Sequence, residues 1–432
     1  MHGSAEGVAD ALSREGFMGK VDLVYVDPPY ASQTDYVHEA RLDGRADGRL
    51  RRSAAYEDHW AEKDGGTGAY LDMLAPSLDA LTSLLGPRGT IWVHVDWRAS
   101  YLVRTVLDEI MGRDAFLNEI VWRRAPNLGR QAASSQFGRT LDTIVVYGRP
   151  DAVLVPPLRM EPIEPGAIRR DEQGRPFTVA PRGDYTDASI ARLDQEGRVH
   201  RTASGKVYIK YFLVENADGV LCRERRVDAL WTDVPALRHA PRSEPTGFPT
   251  QKPRALLERI IASATPPGGL VVDAFAGSGT TGEAAYVLGR TAILSDAAPA
   301  AINVARARML RAGAALSVER LSGSPVPPRV EAAVDARRSA GRMHVSLVRP
   351  EEPAAWAVGT LERGVFRATW HSSRCPGKPT IPARTECETD AGATVARVYD
   401  DAGGVAEVPL TGKVAMRESG PGHARTLLGA GE

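Results

Sequence analysis

The sequence contains little cysteine, carries no net charge and lacks any long apolar run. Its 432 residues include 3 cysteines, and 54 Lys and Arg residues balance 54 Asp and Glu residues. Three cysteines cannot build a disulfide framework and are typical of a reducing compartment. No apolar stretch approaches the roughly 20 residues that a membrane-spanning helix needs. These absences exclude a disulfide-stapled scaffold and predict a cytoplasmic protein without a membrane partner.

Other classes of protein lose support in the same way. Residues 1–20 lack the charged segment followed by an apolar segment that marks a secretory signal peptide. His371, Cys375 and Cys387 are too irregularly spaced to resemble a zinc site, so we expect no metal. The balanced charge weakens the case for a polyanionic partner without excluding it, because a local basic surface is sufficient.

The most informative stretch lies near the start, where Val21–Val26 is followed by Asp27, Pro28, Pro29 and Tyr30. Its apolar and β-branched residues predict a strand that is buried on both faces. The two prolines end the strand because they lack the N–H group that a sheet ladder needs. A carboxylate and an aromatic ring thus follow a strand end, which in α/β sheets is the edge where ligands bind. An ordinary strand with a proline turn is the simpler alternative.

Strand and helix patterns alternate in two blocks of the sequence. In the first block, leucines at helical spacing over 68–85 separate the opening strand from a strand pattern at 90–95. The second block begins at 246 and contains strand patterns at 270–275 and 291–295. This alternation predicts an α/β fold with a doubly wound, mostly parallel, Rossmann-like sheet. The predicted regions are a first half-domain at 1–124, an insert at 125–245, a second half-domain at 246–315, a linker at 316–340 and a β-rich C-terminal region at 341–432.

Two stretches interrupt the alternation. Residues 31–67 are polar and without a period, which predicts a long loop that carries the aromatic residues Tyr56 and Trp60. Residues 123–245 contain 20 Lys and Arg against 16 Asp and Glu, interleaved with aromatic side chains. That mixture suits a groove that follows phosphates and stacks bases. A solvated insert is the simpler alternative.

A glycine-rich loop follows the strand pattern at 270–275. A G-x-G-x-x-G sequence begins there at Gly277 and leads into a helix, and Asp296 ends the next strand. The glycines permit a tight turn and a close approach of a ligand, and the later acid can bind ribose hydroxyls. This fingerprint alone suggests a dinucleotide. Asp273 inside the strand suits an ammonium group better than a pyrophosphate, which favours a nucleoside carrying an amino acid, such as S-adenosylmethionine.

Taken together, these motifs resemble those of amino-group DNA methyltransferases. The Asp-Pro-Pro-Tyr sequence is similar to the catalytic motif of that family, and the segment around Gly277 is similar to its cofactor motif. The order, with the catalytic motif first, resembles the permuted β class, including the modification subunits of type III restriction systems. Residues 248–253 (FPTQKP) are similar to an element beside the cofactor. The resemblance implies a Rossmann-like methyltransferase domain whose insert recognises the DNA target.

The resemblance also implies roles for individual residues. The catalytic residues implied are Asp27, Pro28, Pro29 and Tyr30. Among them, Asp27 and the Pro28 carbonyl accept hydrogen bonds from the target amine, and Tyr30 stacks on the base. The cofactor residues implied are Gln251, Lys252, Asp273, Phe275, Ala276, Gly277, Ser278, Gly279, Thr280, Thr281 and Asp296. For contact with DNA or the base we consider Tyr56, Trp60, His94, Asp96, Arg123, Arg124, Arg130 and Arg139.

Some of these assignments have a purely structural alternative. His94 and Asp96 stand where a capped strand end would also place them. For Lys252, the structural alternative is a place at the start of the helix that follows it. The expected cofactor is S-adenosylmethionine and the expected partner is double-stranded DNA. A restriction endonuclease subunit and a second copy of the chain are further candidate partners.

The reaction itself has alternatives. Asp at the first motif position usually accompanies methylation of adenine N6, which we expect, and cytosine N4 is the alternative. Methylation of cytosine C5 needs a thiolate, and none of the three cysteines lies in either motif. An NAD-dependent dehydrogenase would use the glycine loop but leave the Asp-Pro-Pro-Tyr strand without a role. A non-catalytic DNA-binding subunit would not need both motifs intact.

Overall fold

The computed structural model describes residues 1–41, 50–60, 65–126, 135, 137–321, 330–339, 342–350, 353–362, 365–374, 381–388, 394–400 and 404–410. The chain divides into two compact units. One unit combines Met1–Val155 with Ala229–Glu432, and the other is Pro156–Asp228. Within the described ranges, no helix is both long enough and apolar enough to cross a bilayer.

The described residues form seven α-helices. In chain order they are α1 Ala5–Arg14, α2 Gly66–Thr82, α3 Ser100–Met111, α4 Asp187–Gln195, α5 Arg254–Ala264, α6 Thr280–Val287 and α7 Pro299–Arg311. Local chemistry sets some of their ends. Helix α1 begins after Ser4, whose hydroxyl accepts a hydrogen bond from the Gly7 N–H at 3.2 Å. Helix α7 begins at Pro299, a residue that suits the first helical turn because its missing N–H would have no partner there.

The strands are numbered in the same way. Those up to the end of the second half-domain are β1 Val21–Val26, β2 Tyr36–Arg41, β3 Leu50–Tyr56, β4 Leu85–Val95, β5 Phe116–Arg123, β6 Leu141–Gly148, β7 Leu158–Pro162, β8 Arg169–Arg170, β9 Pro176–Pro181, β10 Val199–Arg201, β11 Val207–Phe212, β12 Val214–Glu215, β13 Leu221–Arg226, β14 Leu230–Trp231, β15 Leu270–Asp273 and β16 Thr291–Leu294. Those of the C-terminal region are β17 Ala333–Ser339, β18 Arg342–Arg349, β19 Ala355–Glu362, β20 Val365–Ser373, β21 Arg384–Glu388, β22 Thr394–Tyr399 and β23 Val405–Pro409.

The larger unit is built on a seven-stranded sheet in the order β14-β5-β6-β4-β1-β15-β16. Strand β1 lies in its middle and pairs in parallel with β4 on one side and β15 on the other. Strand β6 alone runs antiparallel to both of its neighbours. The sheet is therefore mixed and mostly parallel, as the sequence predicts.

Both faces of strand β1 are buried, which explains its continuous apolar composition. Val24 and Val26 join a core formed with helices α1, α2 and α3. Leu23 and Tyr25 point to the opposite face, where they are also buried, and helix α5 contacts the same strand. Burial of each such aliphatic side chain contributes about 1.5–3 kcal/mol. The helices thus cover both faces, and the doubly wound fold is confirmed.

The smaller unit, Pro156–Asp228, contains two small antiparallel sheets and helix α4. The sheets have the strand orders β10-β11-β9-β8 and β12-β13-β7. Its apolar centre is small and includes Ile190, Leu193, Val199 and Ile209. Aromatic and basic side chains stack on one another within it, as where the Arg223 guanidinium lies 3.4 Å from the centroid of the Tyr211 ring.

The C-terminal region forms two sheets with a common core. Their orders are β17-β18-β21 and β20-β19-β22-β23, and apolar side chains of both sheets meet around Trp356. A second cluster joins this region to helix α7, where Leu310 packs with Phe366 and Tyr399. The Arg306 guanidinium lies 4.7 Å from the centroid of the Tyr399 ring. The β-rich region therefore packs on helix α7, the last helix of the second half-domain.

Three predicted boundaries need correction. The insert was expected at 125–245, but β6 and β14 belong to the central sheet, and the compact insert is Pro156–Asp228. The linker was expected to extend to 340, but β17 already pairs with β18 from Ala333. Residues 31–67 were expected to be a loop, but β2 and β3 form an antiparallel hairpin there. These limits depend on which strands pair with one another, and local residue patterns do not encode that pairing.

Candidate active site

The central sheet brings the two predicted motifs to one edge. Tyr25 in β1 is the register partner of Asp273 in β15. Asp27 follows two residues later, at the point where β1 ends. Because the two strands are parallel, the loops that follow them leave the sheet at the same carboxyl edge. The Asp-Pro-Pro-Tyr loop and the glycine loop therefore lie side by side.

The Asp27 carboxylate is the centre of the first loop and is held by two donors. The Lys252 Nζ atom lies 2.7 Å from its Oδ1 atom and 2.6 Å from its Oδ2 atom. The Tyr30 hydroxyl donates to Oδ1 at 2.6 Å. The side chains of Lys252 and Asp27 are 9% and 18% exposed. The structure thus places Lys252, for which the resemblance implies a role at the cofactor, on the carboxylate of Asp27.

The backbone after Pro29 is held by Asp58, a buried residue of the segment 57–60. Its carboxylate accepts hydrogen bonds from the N–H groups of Tyr30 at 3.2 Å, Ala31 at 2.8 Å and Ser32 at 2.8 Å. Ala31 adopts a φ of 56°, a left-handed conformation that a side chain rarely adopts. One distant carboxylate therefore stabilises a strained turn beside Asp27.

Aromatic residues complete the support of this loop. The Tyr70 hydroxyl of helix α2 donates to the Pro29 carbonyl at 2.9 Å. The Trp60 indole N–H donates to Asp58 at 3.0 Å, and its ring meets the Tyr70 ring edge to face at 5.4 Å. Pro28 is buried at the start of the turn. Trp60, considered for base contact, thus forms part of the wall behind the loop.

A buried hydrogen-bonded chain lies behind Tyr30. The Tyr30 ring stacks on His94, with centroids 6.2 Å apart and planes at 23°. His94 bonds to the Tyr25 hydroxyl through Nδ1 at 3.0 Å and to Asp142 through Nε2 at 3.3 Å. Arg124 donates to the other oxygen of Asp142 at 2.8 Å. His94 therefore orients the ring that the resemblance assigns to base stacking.

The charge state of this chain follows from its surroundings. Although burial raises the pKa of Asp142, the hydrogen bond from His94 and the charges of Lys252 and Arg124 lower it overall. An ionised Asp142 only accepts hydrogen bonds, so the His94 Nε2 atom is the donor in this contact. Burial raises the pKa of Tyr25 well above its usual range, which keeps this hydroxyl protonated.

The second loop contains a buried carboxylate without a cation. Asp273 is 2% exposed and accepts hydrogen bonds from the Phe275 N–H at 3.0 Å and the Thr281 hydroxyl at 2.6 Å. Burial raises the pKa of Asp273 to about 7. Among the described residues, no Lys or Arg side chain forms an ion pair with it. An ammonium group would be favourable at this position.

Asp296 closes the same loop from the next strand. Its carboxylate accepts hydrogen bonds from the Gly277 N–H at 2.9 Å and the Ala298 N–H at 2.8 Å. Burial raises the pKa of Asp296 to about 6. The Ala276 N–H donates to the Ser295 carbonyl at 2.9 Å, which fixes the loop on β16. The carboxylate thus stands at the end of β16, where the resemblance expects ribose recognition.

The glycines of this loop are required by its geometry. Gly279 adopts a φ of 74°, and a Cβ atom there would lie 2.7 Å from the Ala305 backbone of helix α7. Gly277 adopts a φ of 48°, and its added Cβ atom would lie 3.2 Å from the Phe248 ring. Ser278 and Thr280 are buried and share a hydrogen bond at 3.0 Å. The loop therefore stays close to the helix that follows β16.

The segment 246–252 connects the two loops. The Gln251 side chain accepts from the Thr246 N–H at 2.8 Å and donates to the Glu244 carbonyl at 3.1 Å, so it holds its own loop. The Thr280 hydroxyl donates to the Lys252 carbonyl at 3.3 Å. Tyr56, considered for base contact, bonds to the Thr250 hydroxyl at 3.1 Å. The main chain of Lys252 is thus tied to the glycine loop, while its ammonium group reaches Asp27.

The remaining candidates for DNA contact lie around this edge. Asp96 is buried, and its carboxylate accepts hydrogen bonds from the N–H group and the guanidinium of Arg98, so it holds the turn that precedes helix α3. The Arg139 guanidinium lies 4.2 Å from the ring of Trp97, a residue that is 48% exposed. Arg123 is exposed at the end of β5. Arg130 lies outside the described residues.

Several supporting residues escaped the sequence analysis. Tertiary structure alone brings Asp58, Tyr70 and Asp142 to the Asp-Pro-Pro-Tyr loop or to the residues that support it. The one sequence signal was the aromatic cluster around Tyr56 and Trp60, which encloses Asp58. In the part of the chain that the structure describes, no cluster of His, Cys, Asp and Glu could hold a metal ion. Cys375 lies outside that part.

Two proteins with similar sequences are methyltransferases or subunits of a restriction-modification enzyme. The type II methyltransferase M.EcaI of Enterobacter cloacae is 26% identical over 308 residues, which cover 65% of this chain and 63% of that protein. The Mod subunit of the type III restriction-modification enzyme StyLTI of Salmonella typhimurium is 24% identical over 322 residues, covering 64% of this chain and 48% of the subunit. The matches therefore span about half to two thirds of each relative.

Solved structures and a family model complete the comparison. The M1.HpyAVI complex with SAM covers 71% of this chain and 97% of its own, with 16% identity and a TM-score of 0.40. The cytosine-N4-specific PvuII DNA methyltransferase covers 71% and 84%, with 14% identity and a TM-score of 0.39. Residues 21–307 match the N6/N4 methyltransferase family model, described as DNA methylase. Since this match covers well over half of the 432 residues, the chain belongs to the N6/N4 DNA methylase family.

Proposed function

We propose that the protein transfers the methyl group of S-adenosylmethionine to the N6 amine of an adenine rotated out of DNA. The observation that carries this proposal is the pairing of two acids on adjacent parallel strands. Asp27 ends β1 as a hydrogen-bond acceptor, and the buried Asp273 ends β15 beside the glycine loop. An acceptor for an amine and a site for a cationic nucleoside thus lie together, within a family of DNA methylases.

The residues of the second loop fit S-adenosylmethionine. Asp273 holds a buried carboxylate whose pKa of about 7 leaves room for a cationic partner, and this partner is the amino group of the methionine part. Gly277 and Gly279 keep the backbone free of Cβ atoms where the loop turns. Asp296 offers a carboxylate to the ribose hydroxyls. When bound, the cofactor supplies an electrophilic methyl group on a sulfonium.

The first loop prepares the amine. The lone pair of an aromatic amine is delocalised into the ring, which makes it a poor nucleophile. Asp27 and the Pro28 carbonyl hold the two N–H bonds and direct the lone pair away from them, toward the methyl carbon. As the new C–N bond forms, the C–S bond breaks and positive charge appears on nitrogen. The Asp27 carboxylate stabilises that charge, an effect of several kcal/mol when preorganised.

DNA supplies the base, which leaves the helix at a cost of a few kcal/mol in stacking and pairing. Tyr30 and the ring of His94 behind it give the extruded base a surface on which to stack. The smaller unit, Pro156–Asp228, supplies basic and aromatic side chains for target recognition. Replacement of exposed arginines there, such as Arg226→Ala, should lower DNA affinity and reduce the salt slope by about 0.9 per lost phosphate contact. Binding that is independent of salt would contradict this role.

The names of the relatives extend the proposal to partners. StyLTI Mod is a subunit of a restriction-modification enzyme, and we extend this association to the present chain, with a restriction endonuclease subunit or a second copy as partner. Adenine is preferred to cytosine because Asp27 occupies the first motif position. The proposed domain limits of the methyltransferase part are 1–155 and 229–315, with the DNA-reading unit between them.

Two measurements test the proposed function. Purified protein is incubated with tritiated S-adenosylmethionine and DNA from cells that lack its modification, and modification-sensitive sequencing then identifies the base and the site. Label in N6-methyladenine at one sequence is the expected result. Label in N4-methylcytosine would show that the target base is cytosine and not adenine. Tight binding of NAD without binding of S-adenosylmethionine would favour a dehydrogenase. Binding to DNA without methyl transfer would favour a non-catalytic DNA-binding subunit.

A further inference from the structure

Lys252 occupies the position that the target amine needs. Its ammonium group contacts both oxygens of Asp27 at 2.6 and 2.7 Å, and it lies 5.1 Å from the centroid of the Tyr30 ring. Asp27 is the expected acceptor for the amine, and Tyr30 is the expected stacking surface for its base. One donor of this chain therefore stands at both recognition elements of the catalytic loop.

The ion pair also conflicts with the chemistry of methyl transfer. In the proposed reaction, positive charge moves from sulfur to the amine nitrogen, and the Asp27 carboxylate stabilises it. An ammonium group less than 3 Å from both oxygens neutralises that carboxylate. It also takes up lone pairs that the amine N–H groups would use, since a carboxylate offers about four acceptor positions and the Tyr30 hydroxyl already uses one.

The position of Lys252 in the chain suggests what moves it. Its carbonyl accepts a hydrogen bond from the Thr280 hydroxyl at 3.3 Å, so its main chain is fixed to the first turn of helix α6, which follows the glycine loop. Gln251 and Pro253 on either side are buried, and Gln251 is held by Thr246 and the Glu244 carbonyl. The side chain, in contrast, is a flexible four-carbon stem that can reach either loop. Lys252 is thus anchored on the cofactor side and extends to the catalytic side.

We propose that Lys252 is a positioning residue that couples cofactor binding to capture of the target amine. Without cofactor, its ammonium group fixes the orientation of the Asp27 carboxylate and occupies the acceptor positions that the target amine needs. The carboxylate of the cofactor's amino acid offers a second anionic partner, which draws the ammonium away and leaves Asp27 to the amine. The inference rests on the proposed function and adds an order to it, because the base is bound firmly only after the cofactor.

The test measures DNA affinity in the presence and absence of S-adenosylhomocysteine, which carries the same carboxylate but no methyl group. The duplex contains the site found by sequencing. For the unmodified protein we expect this ligand to tighten binding of the duplex about tenfold, within the usual range of coupling between two sites. Methylthioadenosine, which lacks the amino acid, should give no tightening. A duplex whose target base lacks the exocyclic amine should also give none.

Variants separate Lys252 from other cations. Lys252→Met should bind the duplex about as tightly without S-adenosylhomocysteine as the unmodified protein binds it with this ligand, so that the coupling disappears. Arg254→Met is the matched control, since Arg254 lies two residues away and pairs with Glu258 and Glu283 instead of Asp27. This control should keep the full coupling. If Lys252→Met does not fold, Lys252→Gln, which keeps a polar end without the charge, takes its place and should lose the coupling in the same way.

Unchanged coupling in Lys252→Met would overturn the role of Lys252. Equal coupling with methylthioadenosine, or with the duplex that lacks the amine, would overturn it as well. Methyl transfer by the unmodified protein distinguishes these results from failure of the proposed function. If the unmodified protein transfers methyl groups while any of these results is found, only the role of Lys252 is lost. Absence of transfer to the duplex would remove the proposed function and this inference together.

Discussion

The loops after β1 and β15 leave the same sheet edge, but they are built in opposite ways. The Asp-Pro-Pro-Tyr loop is held by side chains from distant segments, among them Asp58 and Tyr70. The glycine loop is held by residues nearer in the chain, namely by hydrogen bonds around Asp273 and by Ser295 and Asp296 after the next strand. The difference shows that the first loop depends on more distant parts of the fold, whereas the second depends on one strand–helix–strand unit.

The acids of the two loops differ in the same way. Asp27 is neutralised by the chain's own ammonium group on Lys252. Among the described residues, Asp273 receives hydrogen bonds from neutral donors, the Phe275 N–H and the Thr281 hydroxyl, and burial raises its pKa to about 7. The first acid is thus paired with a cation, and under the proposed mechanism it has to be released before the amine binds, while the second can accept a cation. This contrast fits an ordered site in which the charged cofactor binds beside Asp273 and the neutral amine binds at Asp27.

The largest effect is expected at Asp27. Asp27→Ala removes the acceptor of the amine, and methyl transfer should fall about a thousandfold or more. Binding of S-adenosylmethionine should persist, because the glycine loop is separate. Transfer of tritiated methyl groups and equilibrium cofactor binding measure the two quantities. Asp27→Asn keeps the shape of the site and checks that the loss is not unfolding. Loss of cofactor binding in both variants would contradict the division between the loops.

The next effect concerns the anchor of the first loop. Asp58→Ala leaves three backbone N–H groups and the Trp60 indole without their acceptor. The free energy of unfolding should fall by about 3 kcal/mol, measured by urea denaturation. Asp35→Ala is the control, because Asp35 is exposed and lies 3.8 Å from the exposed His59. That change should stay within about 0.5 kcal/mol. Equal losses in the two variants would show that the loop does not depend on Asp58.

The glycine loop can be tested with a pair of glycines that share one conformation. Gly279 and Gly268 both adopt a φ of 74°, but only at Gly279 would a Cβ atom meet a neighbour, the Ala305 backbone at 2.7 Å. Gly268→Ala should cost about 1 kcal/mol for its left-handed backbone. Gly279→Ala should cost about 2–3 kcal/mol because overpacking adds to that strain. Thermal or urea unfolding compares the free energies of unfolding of the two variants. Equal losses would mean that helix α7 moves to make room for the added Cβ atom.

The smallest effect is the pH dependence of cofactor binding. The pKa of Asp273 is raised to about 7, so the carboxylate that pairs with an ammonium forms as the pH rises through that value. Affinity for S-adenosylmethionine should therefore increase about tenfold from pH 6 to pH 8. The contribution of Asp273 to stability has the opposite course, since it is present at low pH and lost as the pH approaches 7.

Asp273→Asn serves as the control for this pH dependence. It keeps the size of the side chain and removes its titration, so the remaining variation of affinity reflects other groups. Asp296, whose pKa is raised to about 6, is the main one. An affinity profile in Asp273→Asn that is as steep as that of the unmodified protein would show that Asp273 does not face the ammonium.

Much of the site was accessible to sequence patterns. The apolar run Val21–Val26 predicted a central strand, and its two prolines predicted where it ends. The glycine pattern with Asp273 and Asp296 predicted the second loop. These features are local, since each depends on residues that are adjacent in the chain. Asp58 and Asp142 could not be found in this way, because a single Asp in a polar or a strand segment looks the same whether or not it contacts the active site.

The sequence by itself determined the α/β sheet and the position of both motifs at strand ends. Only the tertiary structure decided their pairings. It placed β6 and β14 in the central sheet, set the insert at Pro156–Asp228 and brought Lys252 to Asp27. The physical reason is that strand and turn propensities are encoded over a few residues, whereas an ion pair between residues far apart in the chain requires the complete sheet to bring them together.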